Sequence, residues 1–406
     1  GLGDVYKRQI LGYGTVGSGV AEVLSCNQEL IAKRAGNPIE VKYILDLRDF
    51  PGDPNETKVV HDIEVILQDP EISIVCETMG GNEPAYTFSK RALEAGKSVC
   101  TSNKELVANH GAELLRLAQE NGCNYFFEAS VGGGIPIIRP INNCLTAERI
   151  VEVSGILNGT TNYILTKMEQ EGMLFEEALG QAQALGYAER NPEADVEGYD
   201  ACRKIAILTS LVAGKTVDFH KIHTEGITGI DPTDFAYAKK LDATIKLLAV
   251  SRETEDGYQI SVAPYLLKKE NALAGVNDVF NAVAVCGNTL GDTMFYGRGA
   301  GKLPTASAVV ADVVECARHL QKTVGCLWEE GEAKVADFDS QEGRFFVRVS
   351  KKARADVEKV FGAVVPVVLD SALEEFAFVT ESMQEAEFEK CREQIFGFVK
   401  KIRIKD

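Results

Sequence analysis

Gly12-Tyr13-Gly14-Thr15-Val16-Gly17, followed by Ser18-Gly19-Val20-Ala21-Glu22-Val23-Leu24, decides how the first third of this 406-residue chain folds. The run matches G-x-G-x-x-G and then takes helical spacing, so a tight turn leads into a helix N-terminus. Glycines let a pyrophosphate approach the backbone, and the free amides at the helix start attract its charge. Taken alone, such a run is equally a simple turn. Here Val41-Lys42-Tyr43-Ile44-Leu45 supplies a second strand at the spacing of a βαβ unit. Alternation continues through Ile72-Ser73-Ile74-Val75-Cys76, a helix from about 84 to 95, and Ser98-Val99-Cys100-Thr101. That pattern predicts an α/β fold with a doubly wound parallel sheet of the Rossmann type.

On this reading Gly12, Gly14, Thr15, Val16 and Gly17 cradle a dinucleotide. Asp46 ends the second strand and could accept both ribose hydroxyls of NAD, whereas Arg48 could meet the 2′-phosphate of NADP, so the preference stays open. Lys104, in Thr101-Ser102-Asn103-Lys104, stands at the carboxyl edge of the sheet, where ligands bind; the alternative is a lysine that merely caps a loop. Glu128-Ala129-Ser130-Val131-Gly132-Gly133-Gly134-Ile135-Pro136 offers one carboxylate and exposed carbonyls. Oxygen-only donors of low charge suit a monovalent cation, and a glycine hinge between domains would read the same way. At the start of the chain, Gly1-Leu2-Gly3-Asp4-Val5-Tyr6-Lys7-Arg8-Gln9 occupies the place of an apolar first strand, and only Ile10-Leu11 keep that character. Residues 1–8 read as a non-native segment without functional weight, leaving a shortened first strand.

The 43 Lys and Arg against 60 Asp and Glu give a net charge of −17, which disfavours a nucleic-acid or anionic-membrane partner. The 10 cysteines form no C-x-x-C pair and mostly sit in apolar runs, as reduced core residues of a cytosolic protein would. His220 and His223 lack further ligands in a metal-binding pattern. No apolar run reaches the roughly 18 residues of a membrane span.

After about residue 136 the pattern changes to longer helices and a sheet of non-parallel character, the α+β substrate region. Ile150 to Leu157 reads as a strand leading into Asn158-Gly159-Thr160-Thr161-Asn162, whose hydroxyls and free helix amides could hold a carboxylate. Helices are expected at about 175–185 and 195–214, with Gly186-Tyr187-Ala188-Glu189 between them. Asp200 and Lys204, four residues apart, project from one helix face. A lysine held by an aspartate can donate or accept a proton, although a solvated surface pair is the plainer reading. Crowding of Glu189, Asp195, Asp200 and Lys204 ahead of the apolar Ile205-Ala206-Ile207-Leu208 favours chemistry. Later strands, 259–267 and 277–286, extend an antiparallel sheet. Gly297-Arg298-Gly299-Ala300-Gly301 then precedes an apolar helix, 306–320, as a second anion site or a flexible joint.

The stretch from Asn158 to Leu208 resembles homoserine dehydrogenases, and the likeness extends over about residues 10–320. The resemblance implies NAD(P)-dependent interconversion of L-homoserine and L-aspartate 4-semialdehyde in threonine, methionine and isoleucine biosynthesis. It assigns Lys204 and Asp200 to catalysis, with Lys104 as a second cation that would lower the basicity of Lys204. It places Glu189, Gly186, Tyr187, Thr160 and Asp200 on the substrate and Gly301 on the cofactor. Sodium would be held by Glu128 and the carbonyls of Val131, Gly133 and Ile135. A cytoplasmic homodimer or homotetramer follows from the same likeness.

Residues 344–406 read as a separate small unit of order βαββαβ: strand 344–350, helix 353–361, strand 363–369, strand 376–381, helix 385–395 and strand 399–404. That ferredoxin-like order resembles the ACT domain, an amino-acid sensor, which would make L-threonine its effector. The Asp-x-Pro-Gly turn usual there is replaced by Lys351-Lys352-Ala353-Arg354-Ala355-Asp356. The expected domains are thus 1–135 with 301–325 for the dinucleotide, 136–300 for substrate and dimerisation, and 340–406 for regulation. Two rivals are another nicotinamide oxidoreductase, which would lack the 158–208 block, and a non-catalytic amino-acid sensor, which would not need Asp200 and Lys204 paired.

Overall fold

A computed structural model describes residues 6–369 and 373–405. The chain divides into two compact units: Gly1–Arg149 with Ala206–Phe219 and Phe295–Ala333, and Ile150–Ile205 with His220–Met294 and Lys334–Asp406. The first therefore takes in more than the expected 1–135 and 301–325, adding 136–149, 206–219, 295–300 and 326–333.

Six strands build the first unit's sheet: β1 (Tyr6–Leu11), β2 (Ile39–Leu45), β3 (Val59–Val60), β4 (Ile72–Glu77), β5 (Ser98–Thr101) and β6 (Tyr125–Phe126). They are all parallel, in the order β3-β2-β1-β4-β5-β6. The order reverses direction beside β1, which puts the ligand crevice at the carboxyl ends of β1 and β4. β4 and β5 are apolar without alternation and almost wholly buried, as strands covered on both faces must be. Connections run through α1 (Thr15–Cys26), α2 (Gln28–Ala35), α3 (Ile63–Leu67), α4 (Ala85–Glu94) and α5 (Lys104–Glu120). A later helix, α11 (Lys302–Arg318), returns to this unit, and its Ala306, Val309, Val310 and Val313 join Ile10, Val20 and Leu24 in one core.

The first strand is longer than the sequence suggested. Tyr6 to Leu11 pair with β2 and Lys7 to Leu11 with β4, with register shifts around Arg8; residues 1–5 of the segment read as non-native lie outside the described residues. Arg8 pays for this position, being 0% exposed in the middle of the sheet. Its Nη1 reaches the Lys7 carbonyl at 3.3 Å and its guanidinium lies 5.4 Å from the Tyr6 ring centre. Nε and Nη2 find no hydrogen-bond partner among the described residues. Burial pulls the Arg8 pKa down to about 10.

The second unit is organised by a ten-stranded sheet whose main path runs β13-β12-β7-β10-β11-β18-β15-β16. Its strands are β7 (Ile150–Ile156), β9 (His223–Thr224), β10 (Ala243–Thr254), β11 (Gly257–Lys268), β12 (Phe280–Gly287), β13 (Gly291–Arg298), β15 (Glu342–Ser350), β16 (Glu375–Val379), β17 (Met383–Gln384) and β18 (Phe398–Lys405). The short β8 (Lys215–Thr216) and β14 (Glu329–Glu332) pair apart from it. β10 was not anticipated: its nine-residue buried run, 243–251, has no alternation from which a strand could be read. Helices α6 (Gly159–Glu171), α7 (Phe175–Ala184), α8 (Glu193–Val196), α9 (Tyr199–Ala213) and α10 (Pro232–Lys240) complete the substrate region, with α12 (Arg354–Phe361) and α13 (Glu385–Arg392) in the tail.

The tail does not stand apart as expected. β18 pairs in parallel with β11, Tyr265 opposite Arg403, so one sheet runs through both regions. Buried ion pairs reinforce the join: Arg348 meets Asp234 at 2.6 Å and Asp231 at 2.9 Å, and Arg403 meets Glu225 at 2.9 Å. The expected strand 363–369 is reduced to a single bridge between Val367 and Ala377. No helix among the described residues is long and apolar enough to cross a membrane.

Two outcomes follow for stability. Arg8→Val removes a nearly unpartnered buried cation and raises stability by on the order of 2 kcal/mol, read as a higher melting temperature. For Glu225, burial pushes the carboxyl up, but the hydrogen bond from His223 and the charge of Arg403 win and bring it down from 4.5 to about 2. Its stabilising contribution is therefore complete above pH 4.5 and is lost as pH falls toward 2. Glu225→Gln flattens that part of the melting-temperature profile.

Candidate active site

The glycine turn is built by close backbone packing. A Cβ on Gly17 would lie 1.9 Å from the Gly12 carbonyl oxygen, so no other residue fits there without moving the turn. Thr78 donates its hydroxyl to that same oxygen at 2.8 Å, and the Gly12 amide donates to the Leu45 carbonyl at 2.8 Å. Gly14 caps α1 without a side chain. The amides of Thr15, Val16 and Gly17 therefore point out of the helix start, as an anion site requires. Gly301 caps α11 in the same unit, and Lys302 beside it pairs with Glu22 of α1 at 2.7 Å.

Asp46 and Arg48 are not rivals but partners. The carboxylate accepts from the Tyr13 amide at 2.8 Å, and from the Arg48 amide, Nε and Nη2 at 3.0 Å each. Those four donors use the roughly four acceptor positions a carboxylate has. The Arg48 side chain above all holds the Asp46 carboxyl well below the usual carboxylate range.

Two strand ends flank the turn. Glu77, fully buried, takes the Thr101 hydroxyl at 2.7 Å and the Met79 amide at 2.7 Å. Asn103 accepts from Leu106 N at 3.1 Å, capping α5, and donates to the Gly81 carbonyl at 2.6 Å. Lys104 is thereby the first residue of a capped helix at the carboxyl end of β5. The buttressing contacts of Glu77 and Thr78 are tertiary, made to residues of other elements.

In the second unit Asn158 organises the 158–204 block. Its Oδ1 caps α6 by accepting from Thr161 N at 2.8 Å, while its Nδ2 donates to Asp195 at 2.7 Å and Asp200 at 2.9 Å. Lys204 Nζ lies 2.8 Å from the same Asp200 oxygen and donates to the Leu157 carbonyl at 2.8 Å. Asp200 and Lys204 are only 6% and 9% exposed, which sets aside the solvated surface pair. Thr160, expected on the substrate, donates its hydroxyl to the Tyr187 carbonyl at 2.6 Å and ties the 186–189 loop to the start of α6. Tyr187 also packs its ring edge on Tyr163 at 5.1 Å. Gly186 follows α7 in a left-handed conformation, and Glu189 is exposed, its carbonyl held by Gln183 at 3.0 Å.

Comparison with known proteins now bears on this geometry. The family description "Homoserine dehydrogenase" matches residues 136–314, and "Homoserine dehydrogenase, NAD binding domain" matches residues 12–128. The homoserine dehydrogenase of Bacillus subtilis is 38% identical over 405 residues, covering 93% of this chain and 92% of the relative. That of Pseudomonas aeruginosa is 46% identical over 315 residues, 77% of this chain and 73% of its own. The chain belongs to the homoserine dehydrogenase family. It is an oxidoreductase of amino-acid biosynthesis that carries out the homoserine dehydrogenase reaction, with a nicotinamide dinucleotide as cofactor. Among solved structures, the homoserine dehydrogenase from Thiobacillus denitrificans superposes with a TM-score of 0.90 at 34% identity, covering 99% of this chain and 98% of that one. A hyperthermophilic archaeal homoserine dehydrogenase in complex with NADPH gives 0.66 at 29% identity, covering 77% and 97%.

As a homoserine dehydrogenase the chain has one more region to account for, Glu128 to Pro136. Glu128, 2% exposed, accepts amides of Ile137 at 2.6 Å, Ile138 at 2.8 Å and Arg139 at 2.8 Å. Its own amide donates to buried Asp312, which also pairs with Arg139. Burial raises the Asp312 carboxyl to about 7 against the pull of Arg139. Gly133 has φ +55°, and a Cβ there would sit 2.1 Å from the Gly299 carbonyl oxygen. The glycines thus serve a close approach of two loops within one unit. Among the described residues, the carbonyls of Val131, Gly133 and Ile135 receive no hydrogen bond, whereas that of Gly132 takes Ile135 N at 2.9 Å. No cluster of three or more His, Cys, Asp or Glu side chains suited to a metal occurs among the described residues. His223 instead stacks on Phe338 at 3.6 Å.

Gly17→Ala forces the turn open and abolishes NADPH binding in a fluorescence titration while leaving the second unit folded. Asn158→Ala loses the cap of α6, worth about 1 kcal/mol, and lowers turnover as well as melting temperature.

Proposed function

We propose that Lys204 is the proton-transfer group of the homoserine dehydrogenase reaction and that Asp200 positions it. The supporting observation is the buried Asn158–Asp200–Lys204 arrangement, in which Nζ is held by one carboxylate and one carbonyl and keeps a third donor position. When bound, the dinucleotide supplies or takes the hydride at the substrate's terminal carbon. In the reducing direction Lys204 donates a proton to the aldehyde oxygen, making the hydroxyl of L-homoserine; in the oxidising direction it takes that proton back. Glu189, on an exposed loop, suits the substrate's α-ammonium, with the Gly186 carbonyl beside it in sequence and Tyr187 shaping the loop. Thr160 acts by fastening that loop. Lys104, on the nucleotide unit, is the second cation of the reaction. The functional division is nucleotide binding in 1–135 and 301–325, substrate and dimer contacts in 136–300, and regulation in 340–406.

NADP is the preferred cofactor on this reading. Asp46 has no acceptor position left for ribose hydroxyls, while Arg48 keeps a 64% exposed side chain at the end of β2. Glu128 and the carbonyls of Val131, Gly133 and Ile135 would hold sodium, which would add fixed positive charge beside the 298–301 loop. The fit rests on three carbonyls without donors and on the one acceptor position that Glu128 retains. A homodimer, or a tetramer built from it, suits the outer strand β13, which exposes Leu290 before it and Met294 and Tyr296 along it. L-Threonine is the candidate effector of the tail, and the setting is a cytoplasmic enzyme.

Lys204→Met lowers kcat by about a hundredfold or more with NADPH affinity unchanged, measured by reduction of NADP⁺ with L-homoserine. Retained turnover would remove Lys204 from the chemistry. Arg48→Ala raises the KM for NADP⁺ about tenfold and, by releasing Asp46, lowers that for NAD⁺; equal effects on both would remove Arg48 from cofactor choice.

A further inference from the structure

We infer that Arg403, on the last strand, is a positioning residue for substrate binding, acting through Glu225 on the turn that carries Asp195 and leads into Asp200. This rests on the assignment of the Asn158–Asp200–Lys204 arrangement to the substrate.

The contacts form an unbroken path within one unit. Arg403 is 6% exposed and braced on three sides: Glu385 takes Nε and Nη2, the Phe338 ring lies 5.0 Å from the guanidinium, and Nη1 reaches Glu225 at 2.9 Å. His223 Nε2 meets the same Glu225 oxygen at 2.6 Å, and the His223 ring is itself stacked on Phe338. Glu225 continues β9, and its amide donates to the Val262 carbonyl of β11 at 2.7 Å. The next two residues bear directly on the substrate turn. A Cβ on Gly226 would sit 2.2 Å from the Val196 carbonyl oxygen and 2.6 Å from Glu197 Cα, so the two backbones are in contact. Ile227 N donates to that Val196 carbonyl at 2.8 Å.

Val196 ends α8, which contains Asp195; Gly198 N donates back to the Asp195 carbonyl at 3.0 Å and its carbonyl accepts from Cys202 N in the first turn of α9. The turn from α8 to α9 is thus pressed against residues 225–227, and its two carboxylates are the ones that share the Asn158 amide. A shift of the 225–227 backbone moves Asp195 and Asp200 relative to Asn158 and Lys204. Arg403, on the final strand, supplies a full positive charge that holds Glu225 from the tail side. The tail therefore contributes to the substrate site through geometry, whether or not it binds an effector.

Steady-state kinetics of the full chain test this with Arg403→Met, Arg403→Lys, Glu225→Met and the double variant, alongside Lys204→Met. The link predicts that Arg403→Met raises the KM for L-homoserine about tenfold, within the span of couplings transmitted through packed contacts, while kcat and the KM for NADP⁺ stay within about twofold. Arg403→Lys recovers part of the loss, and the double variant is no worse than the worse single one, because both break one contact. Val357→Ala, in the tail core it shares with Phe345 and Phe378, serves as the comparison for lost stability. If Arg403→Met lowers the melting temperature but leaves the homoserine KM unchanged, or if KM, kcat and cofactor KM worsen together as they do in Val357→Ala, the link is overturned. Lys204→Met that retains turnover would instead overturn the site assignment beneath it.

Discussion

The amide of Asn158 is committed on both sides. Its oxygen caps α6 and its nitrogen is divided between Asp195 and Asp200, so one planar group sets a helix start and two carboxylates at once. Because a buried carboxylate is costly unless hydrogen-bonded, this amide and the Lys204 ammonium both help hold Asp200 in place. Lys204 in turn is pinned by the carbonyl of Leu157, the residue just before Asn158. The loop closes on itself: strand β7 delivers Leu157 and Asn158 together, and α9 delivers Asp200 and Lys204 one turn apart. Four groups from two chain segments thus hold one ammonium at a fixed point.

The nucleotide unit obeys a different constraint, close approach of backbones. Gly17 against Gly12 and Gly133 against Gly299 leave no volume for a Cβ, and Thr78 and Glu77 lock the turn from the neighbouring strand. The first amides of α1 are left open by Gly14, which has no side chain to cap them. Against that order, Arg8 is the local conflict, a cation in the central strand whose neighbours are apolar residues and thiols. The sheet forms around it because backbone pairing with β2 and β4 does not depend on side-chain identity.

The tail illustrates how a module becomes part of its host. Its strand β18 lies beside β11, and Arg348, Lys400, Arg403 and Lys405 reach carboxylates of the substrate region. These pairs are mostly buried, a setting in which breaking one partner costs more than the pair gains over solvent. Such joins carry geometry from one region to the other better than they carry net stability.

Much of this was legible beforehand. The glycine run and the alternation of short apolar strands with amphipathic helices determined the parallel sheet, because period and turn chemistry are local properties. The 158–208 block fixed Asp200 and Lys204 on one helix face through spacing alone. What spacing cannot express is which acceptors a side chain spends. Asp46 reads as open to a ribose, yet its carboxylate takes four donors, and Thr160 reads as a substrate contact, yet its hydroxyl also ties down the Tyr187 carbonyl. Likewise β10, buried without alternation, carried no period to read, and the pairing of β18 with β11 joins residues far apart in the chain. Local pattern determined most of the elements and put Asp200 and Lys204 on one helix face; tertiary contacts alone decided the hydrogen-bond partners, because those partners are supplied by segments that meet only once the chain has folded.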